Sequence, residues 1–326
     1  MPAISPYKKR REVAVIGVET TRGTAAPKQY AFRWLNKNVR SIPTILENES
    51  AMGLDTRVND SAIDVWHSEG PLGGKVTEDG LGYLLNGMFN KVTTVDNSDG
   101  TYTHTFERDQ NAARKTLSLW DVRPSGTRLF KSLYMDNLNL NIEVSDSGAW
   151  LECSTAFKGW KHEDVASFTP PAFTTDENEF TSRMVEVRIA DNVAGLSSGK
   201  IKPRSIELAL EESATVDHAL GETNNDPEFD SAPAEAKGSM VVKYRSTDYD
   251  EAYFTNKVHA MSITATNGGS KIEVIGTKVR FREVTDSDGR DDVVSQTLSF
   301  YFEPDLSNGG KDIIVKVTNK LPSFTA

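Results

Sequence analysis

The sequence predicts a mainly β protein with short helices, arranged as two β-rich units in tandem. Three observations predict it. Short strings recur in the same order: Glu-Val-Ser-Asp-Ser at Glu143 to Ser147 returns as Glu-Val-Thr-Asp-Ser at Glu283 to Ser287, and Leu46-Glu47-Asn48-Glu49-Ser50 returns one residue shorter as Leu210-Glu211-Glu212-Ser213. Repetition in a fixed order is the mark of a duplicated supersecondary unit. Apolar residues alternate with polar ones, most clearly at Leu138, Leu140, Ile142 and Val144, as in a strand with one buried and one wet face. And each half runs strand, short helix, then further strands.

The elements follow in order. Glu12 to Val18 reads as a first strand. Glu19 to Pro27 is a loop broken by Gly23 and Pro27, and Gln29 to Leu35 a second strand. Asn48 to Glu69 is polar and turn-rich. It reads as a long functional loop, or as a hairpin that finds its partner in another subunit. Leu81, Leu84, Leu85, Met88 and Phe89 then form one helical stripe, with Thr77 as N-cap, Glu78 and Asp79 in the first turn and Asn90 as a stop. Val92 to Val95 and Thr101 to Phe106 flank the turn Asp96 to Gly100 as a hairpin. Ala113 to Val122, Ser132 to Val144 and Ala149 to Trp160 complete the first set, with a turn at Ser145 to Gly148.

Phe168 to Asp176, with Pro170 and Pro171, reads as a stiff extended linker. The expected division is an arm and first strand over 1–30, one unit over 31–166, a linker over 167–180 and a second unit over 181–326. In the second unit, strands are expected over Arg183 to Ala190, Ile201 to Glu211 and Gly238 to Tyr244. A short helix capped by Ser246 follows, then strands over Lys257 to Ala265, Lys271 to Arg282, Asp292 to Phe302 and Asp312 to Val317. Asn224 to Ala236 parallels the polar stretch before Gly73.

Composition narrows function. The 326 residues suffice for two domains, each with its own core. A formal charge of -10 and a pI near 5.1 argue against tight nucleic-acid binding, which needs a basic stripe. They are compatible with an acidic wall past which DNA slides without sticking. Cys153 is the one cysteine, so an intrachain disulfide and CxxC zinc sites are excluded; it is expected to be a small buried or half-buried side chain. Met1 to Arg11 lacks the apolar stretch of a signal peptide, and no run approaches the ~18 apolar residues of a membrane helix. Synthesis in a cytoplasm and solubility before assembly are the expectation.

No chemistry announces itself. His67, His104, His162, His218 and His259 are scattered without metal-ligand spacing. Asp286 to Asp292 and Asp96 to Gly100 fail the calcium-loop template and read as acidic hairpin turns. Gly74-Lys75 fails as a phosphate loop, because Glu69 stands where the first glycine belongs and Val76 where Ser or Thr would hold magnesium. The reading is therefore not an enzyme, with no cofactor and no metal.

A resemblance adds to this. Glu19-Thr20-Thr21-Arg22-Gly23-Thr24-Ala25-Ala26 resembles the E-T-x-x-G-T-A signature near the start of major tail tube proteins of long-tailed bacteriophages. Gly74-Lys75-Val76 leading into the helix at Glu78 to Leu84 is similar to the same family. The likeness is strongest over residues 12 to 90. The chain departs from the pattern in its basic N-terminal arm and in Asp79 before Gly80. The resemblance implies tube-like β-sandwich or half-barrel units whose edge strands join between subunits into an inner β-barrel. It implies stacked rings forming the conduit for DNA ejection in the virion tail. A duplicated unit implies trimers of pseudo-six-fold shape, alternatively hexamers. The implied partners are further copies of the chain, a tape measure inside, terminator and distal tail proteins at the ends, and genomic DNA in transit, with no membrane. Contacts between subunits or rings are expected at Lys8, Lys9, Arg10, Arg11, Asn48, Glu49, Arg57, Asp60, Trp66, Asn224, Asp226 and Glu228. Other readings of the same residues are a decoration, sheath-like or fibre component, or a carbohydrate-binding β-sandwich.

Overall fold

A computed structural model describes residues 6–144, 148–217, 226–287 and 293–325. Among the described residues the chain is mainly β, with two α-helices and no closed barrel within one copy. The first half contains β1 (Val13–Val18), β2 (Tyr30–Phe32), β3 (Trp34–Lys37), β4 (Arg40–Asn48), β5 (Asp60–Lys75), α1 (Glu78–Met88), β6 (Lys91–Asp96), β7 (Tyr102–Glu107), β8 (Leu117–Arg123), β9 (Gly126–Glu143), β10 (Glu152–Gly159) and β11 (Glu163–Val165). The second contains β12 (Val185–Ala190), β13 (Lys200–Ile201), β14 (Ser205–Glu211), β15 (Ala214–Asp217), β16 (Glu228–Ser231), β17 (Glu235–Lys243), α2 (Asp248–Phe254), β18 (His259–Asn267), β19 (Ser270–Asp286), β20 (Ser295–Phe302) and β21 (Ile314–Asn319).

The same antiparallel pairing scheme occurs in both halves. In the first, β5 pairs with β10, β10 with β9, β9 with β8 and β8 with β1. In the second, β17 pairs with β20, β20 with β19, β19 with β18 and β18 with β12. Each helix follows the counterpart strand, α1 after β5 and α2 after β17. The irregularities repeat too. β9 skips Asp136 opposite β10 as β19 skips Arg282 opposite β20, and β8 slips at Leu117/Leu119 as β18 does at His259/Met261. A bulge bends its strand. Both long strands can therefore serve two layers, pairing with the outer strand β8 or β18 along their first part and with β10 or β20 along their last.

This register fixes which residues correspond. Phe157 opposite Met135 matches Phe300 opposite Phe281, and Leu138 matches Val284. Glu283 therefore corresponds to Asn137, not to Glu143. Ile45 opposite Ile63 matches Ala214 opposite Ser231, so Leu46 corresponds to Thr215, not to Leu210. The recurring strings fall on or beside the repeated strands but not on equivalent positions. The duplication lies in strand order and bulges.

The halves share one sheet. β14 pairs with β9 along its whole length, from Ser205 opposite Glu143 to Glu211 opposite Asn137. Eight strands thus run in the continuous order β4, β5, β10, β9, β14, β17, β20, β19. On the covered side, Leu138, Leu140, Ile142, Ile206, Leu208 and Leu210 are buried with Cys153, Phe157, Met240, Leu298 and Phe300 in a core common to both halves. β21 ties the halves a second time by pairing with β7 and β19. Arg108 bridges Asp312, and Lys311 reaches Glu107 at 2.6 Å.

α1 matches its expected span. Thr77 Oγ1 accepts from the Gly80 N–H at 3.1 Å, and the stripe from Leu81 to Phe89 is buried. The opposite face is buried as well, because the C-terminal segment crosses it. Gly82 lies under Phe324, and a Cβ there would come within 2.2 Å of that ring. In α2 the expected cap differs. Thr247 occupies the N-cap without a side-chain bond, and Ser246 Oγ donates to Asp248 Oδ2 at 2.8 Å. Asn48 to Glu69, expected as a long loop or as a hairpin partnered by another subunit, forms the tip and much of the second strand of the β4–β5 hairpin, whose two strands pair with each other within the chain. β15 and β16 form the corresponding hairpin of the second half. The turn at Ser145 to Gly148 and the acidic turn within Asp286 to Asp292 fall largely outside the described residues.

Candidate assembly surfaces

The eight-strand sheet has one covered face and one open face, because burial alternates along β9, β10, β14, β17 and β20. Strand alternation places Asn139, Asn141, Glu143, Glu152, Ser154, Lys158, Glu207, Glu211, Glu235, Lys237, Ser239 and Lys243 on the open side. Among these residues five carboxylates face three ammonium groups, and on the same side the flanking strands add Glu69 and Glu283 together with Arg40, Lys75 and Arg280, so carboxylates are in slight excess. Lys237 bridges Glu211 at 2.7 Å and Glu235 at 2.9 Å, and hydrogen bonds to both hold its ammonium well above the usual lysine range.

Each end of this sheet has an unpaired side among the described residues. β3 and β4 pair with β5 alone. The last part of β19, Glu283 to Asp286, pairs with β20 alone. Unpaired edges are templates for another chain. In the first half the place equivalent to the free side of β19 is filled: it is the side of β9 that β14 occupies.

The hairpin arms differ in their surroundings. The second arm lies on its own chain. Glu228 pairs with Arg22, Trp160 Nε1 donates to Pro227 O at 3.0 Å, the Phe229 ring stands 5.6 Å from Tyr134, and Arg114 Nη1 donates to Ser231 Oγ at 3.0 Å. Among the described residues the first arm has no such seat, and Ile45 (56%), Leu46 (55%), Met52 (66%) and Leu54 (67%) are exposed on it.

The residues expected at contacts distribute as follows. Asn48, Glu49, Arg57 and Asp60 belong to the first arm, where Arg57 Nε reaches Glu49 at 2.9 Å. Trp66 is not at the tip: it lies farther along β5, half-buried, under Lys161 Nζ at 4.2 Å. Asp226 and Glu228 belong to the second arm, and Asn224 lies outside the described residues. Lys8, Lys9, Arg10 and Arg11 are exposed in and beside a 3-10 turn that Lys9 ties to Lys37 O at 2.7 Å. Lys9 and Arg10 border a cleft of about 580 Å³ floored by Phe32, Trp34 and Phe173.

Three buried polar clusters hold the scaffold behind these surfaces. Glu19 accepts from the N–H groups of Gly23 and Ser132 and from the hydroxyls of Thr116 and Ser118, at 2.7–2.9 Å. It thereby pins the 19–27 loop to β8 and β9. Gly23, at φ +76°, lets that loop pass over Trp160, whose ring a Cβ would meet at 2.1 Å. Lys37 is buried between Glu12, at 2.9 Å, and Asp121. Under the start of α1, Glu78 accepts from Asn178 and Ser270, Asp79 from Asn319, and Glu177 from Tyr30. Burial, then the neighbouring Glu177 and Glu78, pushes Asp79 up to about 7. Burial also raises Glu177.

Among the described residues, no three His, Cys, Asp or Glu side chains converge as a metal site. His104 is buried, its imidazole bonded to Thr94 and Asn319. Cys153 is buried, and desolvation pushes its thiol up to about 12. No helix among these residues is long and apolar enough to cross a membrane.

A sheet with a covered face, an open polar face and, among the described residues, two unpaired ends is the kind of surface that another chain can complete. The comparisons agree with that class. The family described as "Phage tail tube protein" matches residues 10–302, nearly the whole sequence, and the chain belongs to that family. No curated protein matches it. The chain is a structural tail tube subunit of the bacteriophage virion, which assembles with itself and with other tail proteins. Sequence reasoning missed the β9–β14 seam and the duplicated bulges. Of the family signature it found the string but not its reason, the anchoring of the loop by Glu19.

Proposed function

We propose that copies join by repeating the β9–β14 seam between chains. The free side of β3–β4 in one copy pairs with the free side of β19 in the next. The correspondence of β14 with β3–β4, and of β9 with β19, gives the register: Asn38 opposite Ser287, Arg40 opposite Thr285, Ile42 opposite Glu283. Pro43 falls where the internal seam uses the Glu212 N–H, donated to Asp136 O at 2.9 Å, so the pairing ends at Ile42. Because each copy contributes two equivalent blocks of strands, three copies close a ring of pseudo-six-fold outline. The open face lines the bore, and its slight excess of carboxylates repels the DNA backbone. Closure pairs the two free ends of the eight-strand sheet across copies, over Asn38 to Ile42 and Glu283 to Ser287.

Such rings stack into the conduit for DNA ejection, with a tape measure inside and terminator and distal tail proteins at the ends. The subunit is made in the host cytoplasm before assembly. The two arms and the basic residues Lys8 to Arg11 are the elements available for contacts between subunits or rings. The 1–30, 31–166, 167–180 and 181–326 division gives each block one arm and one helix. The observation that carries this reading is the pairing scheme present twice, with one junction filled inside the chain and the equivalent one open. Electron microscopy of the purified protein tests it. Hollow rings or tubes with three-fold averages are expected. True six-fold rings, or a monomer at every concentration, would contradict it.

A further inference from the structure

The seam also assigns a seat to the first arm, and this inference rests on the ring reading above. Within the chain, the second arm lies over the part of β9 around Tyr134, with Phe229 on the ring and Glu228 on Arg22. The repeat makes Arg280 the counterpart of Tyr134, Arg282 that of Asp136 and Lys278 that of Ser132. It makes Asp60 the counterpart of Glu228 and Ile63 that of Ser231. The surface that the repeat offers to the first arm is therefore the Lys278–Arg282 stretch of another copy.

Two features mark that place. First, Lys278, Arg280 and Arg282 all converge on the single carboxylate of Glu303, with Lys278 at 3.4 Å and Arg282 at 2.6 Å. Three cations share one anion, so the cluster carries surplus positive charge in an acidic protein. Second, Phe254 is 81% exposed at the end of α2, and Arg280 Nε donates to Asn256 O beside it at 3.2 Å. The arm is complementary in both respects. Ile45, Glu47, Ser61 and Ile63 share the face that corresponds to the Phe229 side of the second arm. Ile45 and Ile63 are exposed, and Glu47 and Asp60 make no ion pair among the described residues.

We propose that the first arm of one copy lies across the Lys278–Arg280–Arg282 cluster of a second copy of this chain. Glu47 and Asp60 supply the missing anions, and Ile45 and Ile63 cover Phe254. The occupant is a second copy because the filled version of the same junction is visible inside the chain and because the charges match. Charges placed this way set partner and register.

The test is a charge exchange. Arg280→Glu with Arg282→Glu, and separately Glu47→Lys with Asp60→Lys, should each raise the protein concentration needed for ring formation by about tenfold or more, since one such factor is about 1.4 kcal/mol. All four changes in one chain should restore assembly, and circular dichroism should show every variant folded. Arg282→Glu alone, at a half-exposed side chain, serves if the double variant does not fold. If the unaltered protein forms rings and either reversal assembles at the same concentration, or the fourfold variant fares no better than the doubles, the docking is refuted. If the unaltered protein forms no rings, the ring reading itself falls and the docking falls with it.

Discussion

The two halves of the chain follow one strand plan and differ in what equivalent places meet. The second arm rests on Arg22, Tyr134 and Trp160 of its own chain, whereas the first exposes Ile45, Leu46 and Ile63 to solvent. α1 is buried on every side, but α2 buries only Ala252 fully and packs Tyr249 on Phe281. One side of β9 carries β14, and among the described residues the matching side of β19 is bare. Each difference has the same form: the surfaces of the first half at β9 and α1 are covered by elements of the second half, while among the described residues the equivalent surfaces at β19 and α2, and the first arm itself, are left open. A chain built this way is finished only in the company of its copies.

The largest expected effect tests whether both halves share one core. Phe157 and Phe300 are counterparts, each fully buried. Phe157→Ala and Phe300→Ala should each cost about 3–5 kcal/mol and lower a single cooperative melting transition. Two separate transitions by calorimetry, with one half melting alone, would break the account of a common core.

A smaller effect sharpens the contrast between the helices. Asp79 sits in the first turn of the buried helix with its carboxyl raised to about 7 from an ordinary 3.8. The folded state therefore holds its proton more tightly than the unfolded chain. Stability from this group is fully present below about pH 3.8, declines as pH rises and is lost above about 7. Asp79→Asn keeps an acceptor for Asn319 and removes the charge. The variant should match the parent near pH 4 and melt higher at pH 8. Equal melting temperatures at pH 8 would show that the burial is not felt.

Much of this fold was legible because burial is periodic. Leu138, Leu140 and Ile142 alternate with asparagines, and Leu81 to Phe89 keeps a helical stripe, so β9 and α1 could be placed from spacing alone. The hairpin arms could not. Ile45, Leu46 and Ile63 are apolar and exposed, and a strand without a buried face of its own leaves no period of two. The short strings suggested duplication, yet Glu283 corresponds to Asn137 and Leu46 to Thr215. The repeat is preserved in bulges at Asp136 and Arg282, which no residue type announces. Ser246 looked like a cap because Ser is a good one, but the helix begins after Thr247. The assembly surfaces were least legible, since they depend on register and a slip of one residue exchanges the two faces of a strand.

The central claim is that one junction seen within the chain is repeated between chains, and a disulfide reports on it most directly. Ala209 and Asn139 face each other between residue pairs that exchange hydrogen bonds, the position where side chains stand closest. Their counterparts across copies are Arg40 and Thr285. Cys153, buried and with its thiol raised, stays out of the reaction. Ala209→Cys with Asn139→Cys should close within a single chain. Arg40→Cys with Thr285→Cys should, in assembled protein under mild oxidation, give a non-reducing ladder that ends at the covalent trimer. A bond confined to one chain, or none while the control pair closes, would contradict the account.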